Sequence, residues 1–153
     1  MLKFFLLVTL IPAIYMADIN FRRCPNNAPV PQTLSVEGCA GNKCILIPGK
    51  SLHSVGTDII GRINSKTATT RIIARTLGID LGYRVPRELV NACNGSIVGG
   101  CPIVAGRSFN YSVYIDRLEV PAFNIPIEVE VNLTGDGGVP LACARFNARI
   151  GSK

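Results

Sequence analysis

The residues with the greatest capacity for chemistry are the cysteines, beginning with the run EGCAGNKCIL, Glu37 to Leu46. Cys39 and Cys44 are separated only by Ala40 to Lys43. Thiolates this close can bind a metal, exchange electrons or close a loop. Zinc is disfavoured, because the chain has no C-x-x-C pair and a single histidine, His53. His53 lies in a polar strand-like stretch and reads as a solvated side chain rather than a base. Glu128 and Glu130 alternate with apolar residues and read as a solvated strand face. No nucleophile elbow, phosphate loop or paired-carboxylate signature is present. The expectation is a non-enzyme with no catalytic residues, no metal and no cofactor.

The chemistry that remains is cross-linking. All 6 cysteines (Cys24, Cys39, Cys44, Cys93, Cys101 and Cys143) lie beyond the first twenty residues. An even count in a small exported chain reads as a disulfide framework. Composition alone cannot choose among the roughly 15 pairings that six cysteines allow. Loop-closure entropy favours Cys39–Cys44 and Cys93–Cys101, whose intervening segments are short and glycine-rich. Cys24 and Cys143 are then left to join the two ends.

The start of the chain sets the compartment. MLKFFLLVTLIPAIYMADI has a basic residue, Lys3, then an apolar run from Phe4 to Met16. That run is too short to span a bilayer and has the form of a secretory signal peptide. The expected division is residues 1–17 as signal, with an approximate cleavage site, and 18–153 as one domain. The chain carries a formal net charge of +6. Its basic residues are scattered and do not interleave with aromatics, which argues against nucleic acid as a partner.

Strands must position these cysteines. Glycine and proline are spread throughout, so turns are frequent and long helices are not expected. Phe109–Asp116 alternates, with Phe109, Tyr111, Val113 and Ile115 on one face. Ile127–Leu133 sets Ile127, Val129, Val131 and Leu133 against Glu128, Glu130 and Asn132. Ala142–Ile150 sets Ala142, Ala144, Phe146, Ala148 and Ile150 against Cys143, Arg145, Asn147 and Arg149. TGDGGVP lies between the last two and reads as a hairpin turn. Cys44–Ile47 and Leu52–Ile60 are further strands. TTRIIARTLGIDL reads as another, with Ile72 and Ala74 inward and Arg71 and Arg75 outward. The fold class is all-β, with two packed antiparallel sheets. Cys143 falls on the polar side, so a Cys24–Cys143 bridge would lie outside the sandwich.

Three N-x-S/T sequons occur, at Asn94, Asn110 and Asn132. Strand phase puts Asn110 and Asn132 on polar faces, where a glycan fits. The inward face of the last strand is mostly alanine, which leaves room for bulky neighbours or for a ligand.

The cysteine order, with CPIV after the fifth cysteine and GDGGVPLACA around the sixth, resembles the MD-2-related lipid-recognition (ML) family. The likeness is to the small sterol carriers of the Niemann–Pick type C2 kind and to the group 2 mite allergens. It covers essentially the whole chain beyond the leader. The resemblance implies an immunoglobulin-like β-sandwich whose sheets splay apart around a lipid pocket. It also implies the pairing Cys24–Cys143, Cys39–Cys44 and Cys93–Cys101. It places the pocket mouth in GIDLGYRVP and LEVPAFNIP, which offer Tyr83, Val120 and Phe123. Candidate lining residues are Ile72, Phe109, Tyr111, Val113, Val129, Val131 and Phe146.

The implied function is a secreted carrier of a sterol, fatty acid or related lipid. The expected location is extracellular, or the lysosomal lumen. Expected partners are the lipid and a membrane or receptor for hand-off, with the carrier itself monomeric. The alternative is an innate immune module that binds bacterial lipids such as lipopolysaccharide. A third reading is an adhesion-type sandwich without a ligand.

Overall fold

The computed structural model describes residues 16–152, so most of the predicted leader lies outside the described residues. Ten strands and one short helix follow in order. They are β1 (Arg22–Arg23), β2 (Thr33–Val36), β3 (Cys39–Ala40), β4 (Lys43–Leu46) and β5 (Leu52–Ile60). β6 (Thr69–Thr76), β7 (Ile79–Asp80), α1 (Arg87–Val90), β8 (Ser108–Ile115), β9 (Pro126–Thr134) and β10 (Pro140–Ile150) complete the chain.

The strands form two sheets. The larger runs β3-β4-β10-β9-β6-β7, with β1 also paired to β10; the smaller runs β2-β5-β8. This is the all-β sandwich that the alternating segments predict. Pairing is antiparallel except between β4 and β10, which run parallel at Arg149↔Ile45 and Ile150↔Leu46. No hairpin joins these two strands, so nothing in the connection dictates their direction.

β9 and β10 form the long hairpin at the centre of the larger sheet. Their inward residues pair large against small: Leu133 with Ala142, Val131 with Ala144, and Val129 with Phe146. Asp136–Gly138 makes the turn, with Gly137 and Gly138 at φ 67° and 76°. That conformation favours glycine. The adjoining Gly135 is small for a different reason: a Cβ there would lie 2.5 Å from Ser65 Oγ.

TTRIIARTLGIDL differs from its sequence reading. It is a hairpin, with β6 turning back into β7 through Leu77 and Gly78. Both turn residues have positive φ, 49° and 76°, as a tight hairpin turn requires. Leucine rarely adopts that conformation, so the residue types hide the turn.

β5 carries a bulge. Gly56 pairs with Tyr111, but the next partner pair is Ile59 with Phe109. The extra residues reset the strand's phase. Leu52, Ser54 and Gly56 face the interior before the bulge and Ile59 after it.

Two apolar clusters fill the ends of the sandwich. One includes Val36, Leu46, Leu118, Ile127, Phe146 and Ile150; the other includes Ala92, Ile97, Ile103, Tyr111, Leu133 and Leu141. Among the described residues, no helix is long and apolar enough to cross a membrane.

Candidate functional site

Between the sheets lies a cavity of about 90 Å³. On this measure one water occupies roughly 10–15 Å³, so the space equals roughly six to nine waters. Its walls are almost wholly apolar. β9 contributes Ile127, Val129, Val131 and Leu133, and β10 contributes Ala142, Ala144 and Phe146. β8 contributes Tyr111, Val113 and Ile115 from the opposite sheet. No lysine, arginine, histidine, aspartate or glutamate lines it. Such a space suits a ligand held by shape and desolvation.

The two ends differ. At one end, Tyr83 and Val120 border both this cavity and an outer cleft of about 230 Å³. Leu81, Arg84, Glu119 and Pro121 also line that cleft. This is the end at which the resemblance places the mouth. Burial raises the Tyr83 pKa, with a further push from the Glu119 carboxylate. The phenol therefore stays neutral and presents an uncharged hydroxyl there. At the other end, the chain from Ala92 to Ile103 packs over the sandwich, and Ile97 bridges to Tyr111. The Cys93–Cys101 bridge ties that segment together.

Of the ten residues expected from sequence to meet a lipid, eight line the cavity: Ile72, Tyr83, Tyr111, Val113, Val120, Val129, Val131 and Phe146. Two do not. Phe109 lies beyond the β5 bulge and packs against the second cluster. Phe123 sits outside any strand, in the segment before β9, and is 66% exposed. Sequence reading missed Leu34, Val36, Leu46, Leu118 and Pro31, which also line the cavity. Leu34 and Val36 carry a signal, since they alternate with Thr33 and Ser35 in a short strand. Leu118 and Pro31 lie outside strands and carry none.

The three bridges are Cys24–Cys143, Cys39–Cys44 and Cys93–Cys101. Cys24 and Cys143 form a small buried cluster of their own with Ala28. Cys143 borders the cavity between Ala142 and Ala144, while its side chain packs with Cys24 and Ala28. Both cysteines of the Cys39–Cys44 clip are buried within the mouth-side core. Glu130 approaches Cys24 and Cys143 closely enough to suggest a metal cluster. The two sulfurs are bonded to each other and the carboxylate is engaged by arginines, so these atoms are not a ligand set.

The outer face of the larger sheet also corrects a sequence expectation. Glu130 is 7% exposed rather than solvated. Its Oε2 accepts from Arg75 Nη1 and Arg145 Nε, each at 2.7 Å, and its Oε1 accepts from Asn132 Nδ2 at 2.7 Å. Glu128 extends the network to Arg22, Arg75 and Arg145. His53 is likewise half-buried, with Nε2 3.0 Å from Ser112 Oγ.

The sequon asparagines differ in freedom. Asn94 is exposed, whereas Asn110 and Asn132 are half-buried. Asn110 Oδ1 accepts from the Asp58 backbone N–H at 2.9 Å, and Asn132 belongs to the Glu130 network.

Two packed sheets around an apolar cavity, with three disulfides, define a disulfide-bonded β-sandwich. The family model described as the ML domain matches residues 18–150, and the chain belongs to that family of lipid-binding domains. A mite group 2 allergen of Glycyphagus domesticus, Gly d 2.01, is 28% identical over 133 residues. The match covers 86% of this chain and 97% of that protein. The crystal structure of a Niemann-Pick type C2 protein from the Japanese carpenter ant superposes with a TM-score of 0.73 at 16% identity. It covers 86% of this chain and 98% of that one, and supports the fold.

Proposed function

We propose that this protein is a secreted, non-catalytic carrier that takes one lipid into the space between its sheets. The observation that carries this reading is the apolar cavity, which opens at Tyr83 and Val120 and holds no charged side chain. The ligand is a sterol, fatty acid or related lipid. Burying about 400 Å² of apolar ligand surface contributes roughly 10 kcal/mol before the costs of immobilisation. Micromolar or tighter binding is therefore within reach.

Ligand clefts commonly run to roughly 300–1,000 Å³. The present cavity is equivalent to roughly 180–270 Å³ of liquid water. Loading therefore requires the sheets to part or the mouth to open. Exposed Leu77 and Ile79 at the β6–β7 turn, and exposed Phe123, fringe the mouth end. There Thr76 Oγ1 donates to the Pro126 carbonyl. This fringe suits transient contact with a membrane or receptor during hand-off.

Native mass spectrometry of the secreted protein, followed by uptake assays with fluorescent sterol and fatty acid after delipidation, tests the reading. A bound lipid and saturable uptake are expected. Phe146→Arg places a charge in the wall and should abolish uptake while circular dichroism still reports a folded sandwich. Normal uptake by that folded variant would move the site elsewhere.

A further inference from the structure

The cavity wall carries three hydroxyl side chains, Ser54, Tyr83 and Tyr111, and the last stands at the closed end. Tyr111 on β8 reaches across the gap between the sheets to Thr70 on β6, with their hydroxyl oxygens 2.8 Å apart. Both residues are more than nine-tenths buried, at 7% and 3% exposure. Tyr111 forms part of the cavity wall. From Ile127, near the mouth, to Leu133, beside this pair, β9 advances six residues, or roughly 20 Å. The pair therefore lies about one lipid-chain length from the entrance.

Hydrogen counting shows what this pair lacks. Two hydroxyls carry two protons, and the bond between them uses one. Neither oxygen has a second partner among the described residues. One buried O–H is thus left without an acceptor, a costly arrangement in an apolar interior. Burial pushes the Tyr111 pKa up to about 12, against the opposing hydrogen bond from Thr70, so the phenol does not ionise to relieve it.

Resting on the carrier reading, we infer that the Thr70–Tyr111 pair selects a neutral lipid that brings an acceptor oxygen to the closed end. The ligand class is a long apolar body with an uncharged ester, carbonyl or hydroxyl oxygen at the end that enters first. An ionised carboxylate is disfavoured in that orientation. The walls offer it no cation, and an unpaired buried charge is far more costly than an unpaired dipole.

The test uses delipidated full-length protein and three probes of matched chain length: an n-alkane, its methyl ester and its carboxylate. The wild type should hold the ester roughly two- to tenfold more tightly than the alkane, the range of one hydrogen bond. Thr70→Val should bring that ratio towards one. Thr70→Ser, which restores the hydroxyl, should restore the preference and guards against a folding artefact. The carboxylate should show no dependence on residue 70. An ester-to-alkane ratio that is unchanged in Thr70→Val would overturn the inference while leaving the carrier reading intact. The pair would then be only a tie between the sheets. Failure of all three probes to bind the wild type would sink the carrier reading and this inference with it.

Discussion

Glu130 shows how one residue on the outer face contributes to a fold whose function lies inside. Burial works to raise its pKa, but hydrogen bonds from Asn132, Arg75 and Arg145 outweigh burial and hold it below the ordinary 4.5. A carboxyl depressed in the folded state stabilises fully above its unfolded pKa, and that contribution is lost as pH falls through the lower folded value. The network therefore persists at mildly acidic pH, and its contribution declines only once the pH falls below the ordinary glutamate range. Glu130→Gln should cost about 1–2 kcal/mol at neutral pH, because the arginines are partly exposed and screened. Urea midpoints measured from pH 7 to pH 3 should fall less steeply for the variant than for the wild type. Parallel curves would remove Glu130 from the acid response. The same network bears on modification: Asn132 gives its amide to Glu130, whereas Asn94 is exposed. Mass spectrometry of protein expressed through a eukaryotic secretory host should find Asn94 occupied more fully than Asn132.

At the scale of elements, the Cys39–Cys44 clip is the clearest case of a local motif with a distant consequence. It closes the β3–β4 turn, and β4 then runs parallel to the end of β10 beside Ile150. Both sulfurs sit in the mouth-side core, so the clip packs as well as cross-links. The paired change Cys39→Ala and Cys44→Ala should cost roughly 2–4 kcal/mol. Thermal unfolding should register that loss, while ligand preference among lipids stays as in the wild type. A changed preference would place the clip within the site. The β5 bulge has a comparable reach. It separates Phe109 from the cavity although Phe109 shares the sequence phase of Tyr111 and Val113. Alternation along β8 is local and legible, but the bulge is a property of pairing between β5 and β8. The β6–β7 turn escaped for a different reason, since leucine at positive φ gives no compositional sign of a hairpin.

For the whole molecule, the relevant property is the mismatch between the present cavity and a complete lipid. The segment from Ala92 to Ile103, cross-linked by Cys93–Cys101, covers the end away from Tyr83 and Val120, so the proposed loading path runs past Tyr83 and Val120. Binding to the folded state alone should stabilise it by about 2.7 kcal/mol at a hundredfold excess of ligand over Kd. For a domain of this size that corresponds to a rise of roughly 10 °C in Tm. Differential scanning calorimetry of delipidated and loaded protein measures it, and a Tm independent of lipid would contradict loading of the native fold.

The sequence by itself determined the strand phases of β8, β9 and β10, and the apolar face that became most of the cavity wall. Those are period-two patterns, local by nature, and they place Val113, Val129, Val131 and Phe146 without knowledge of any partner strand. The cysteine order and GDGGVPLACA carried the family and its bridges. Only the tertiary structure decided that Glu130 is buried under Arg75 and Arg145, that Phe109 and Phe123 leave the cavity, and that Tyr111 meets Thr70 across the sheets. Each depends on residues dozens of positions apart. Burial, bulge register and the partner of a hydroxyl are set by what packs opposite, which no single strand encodes.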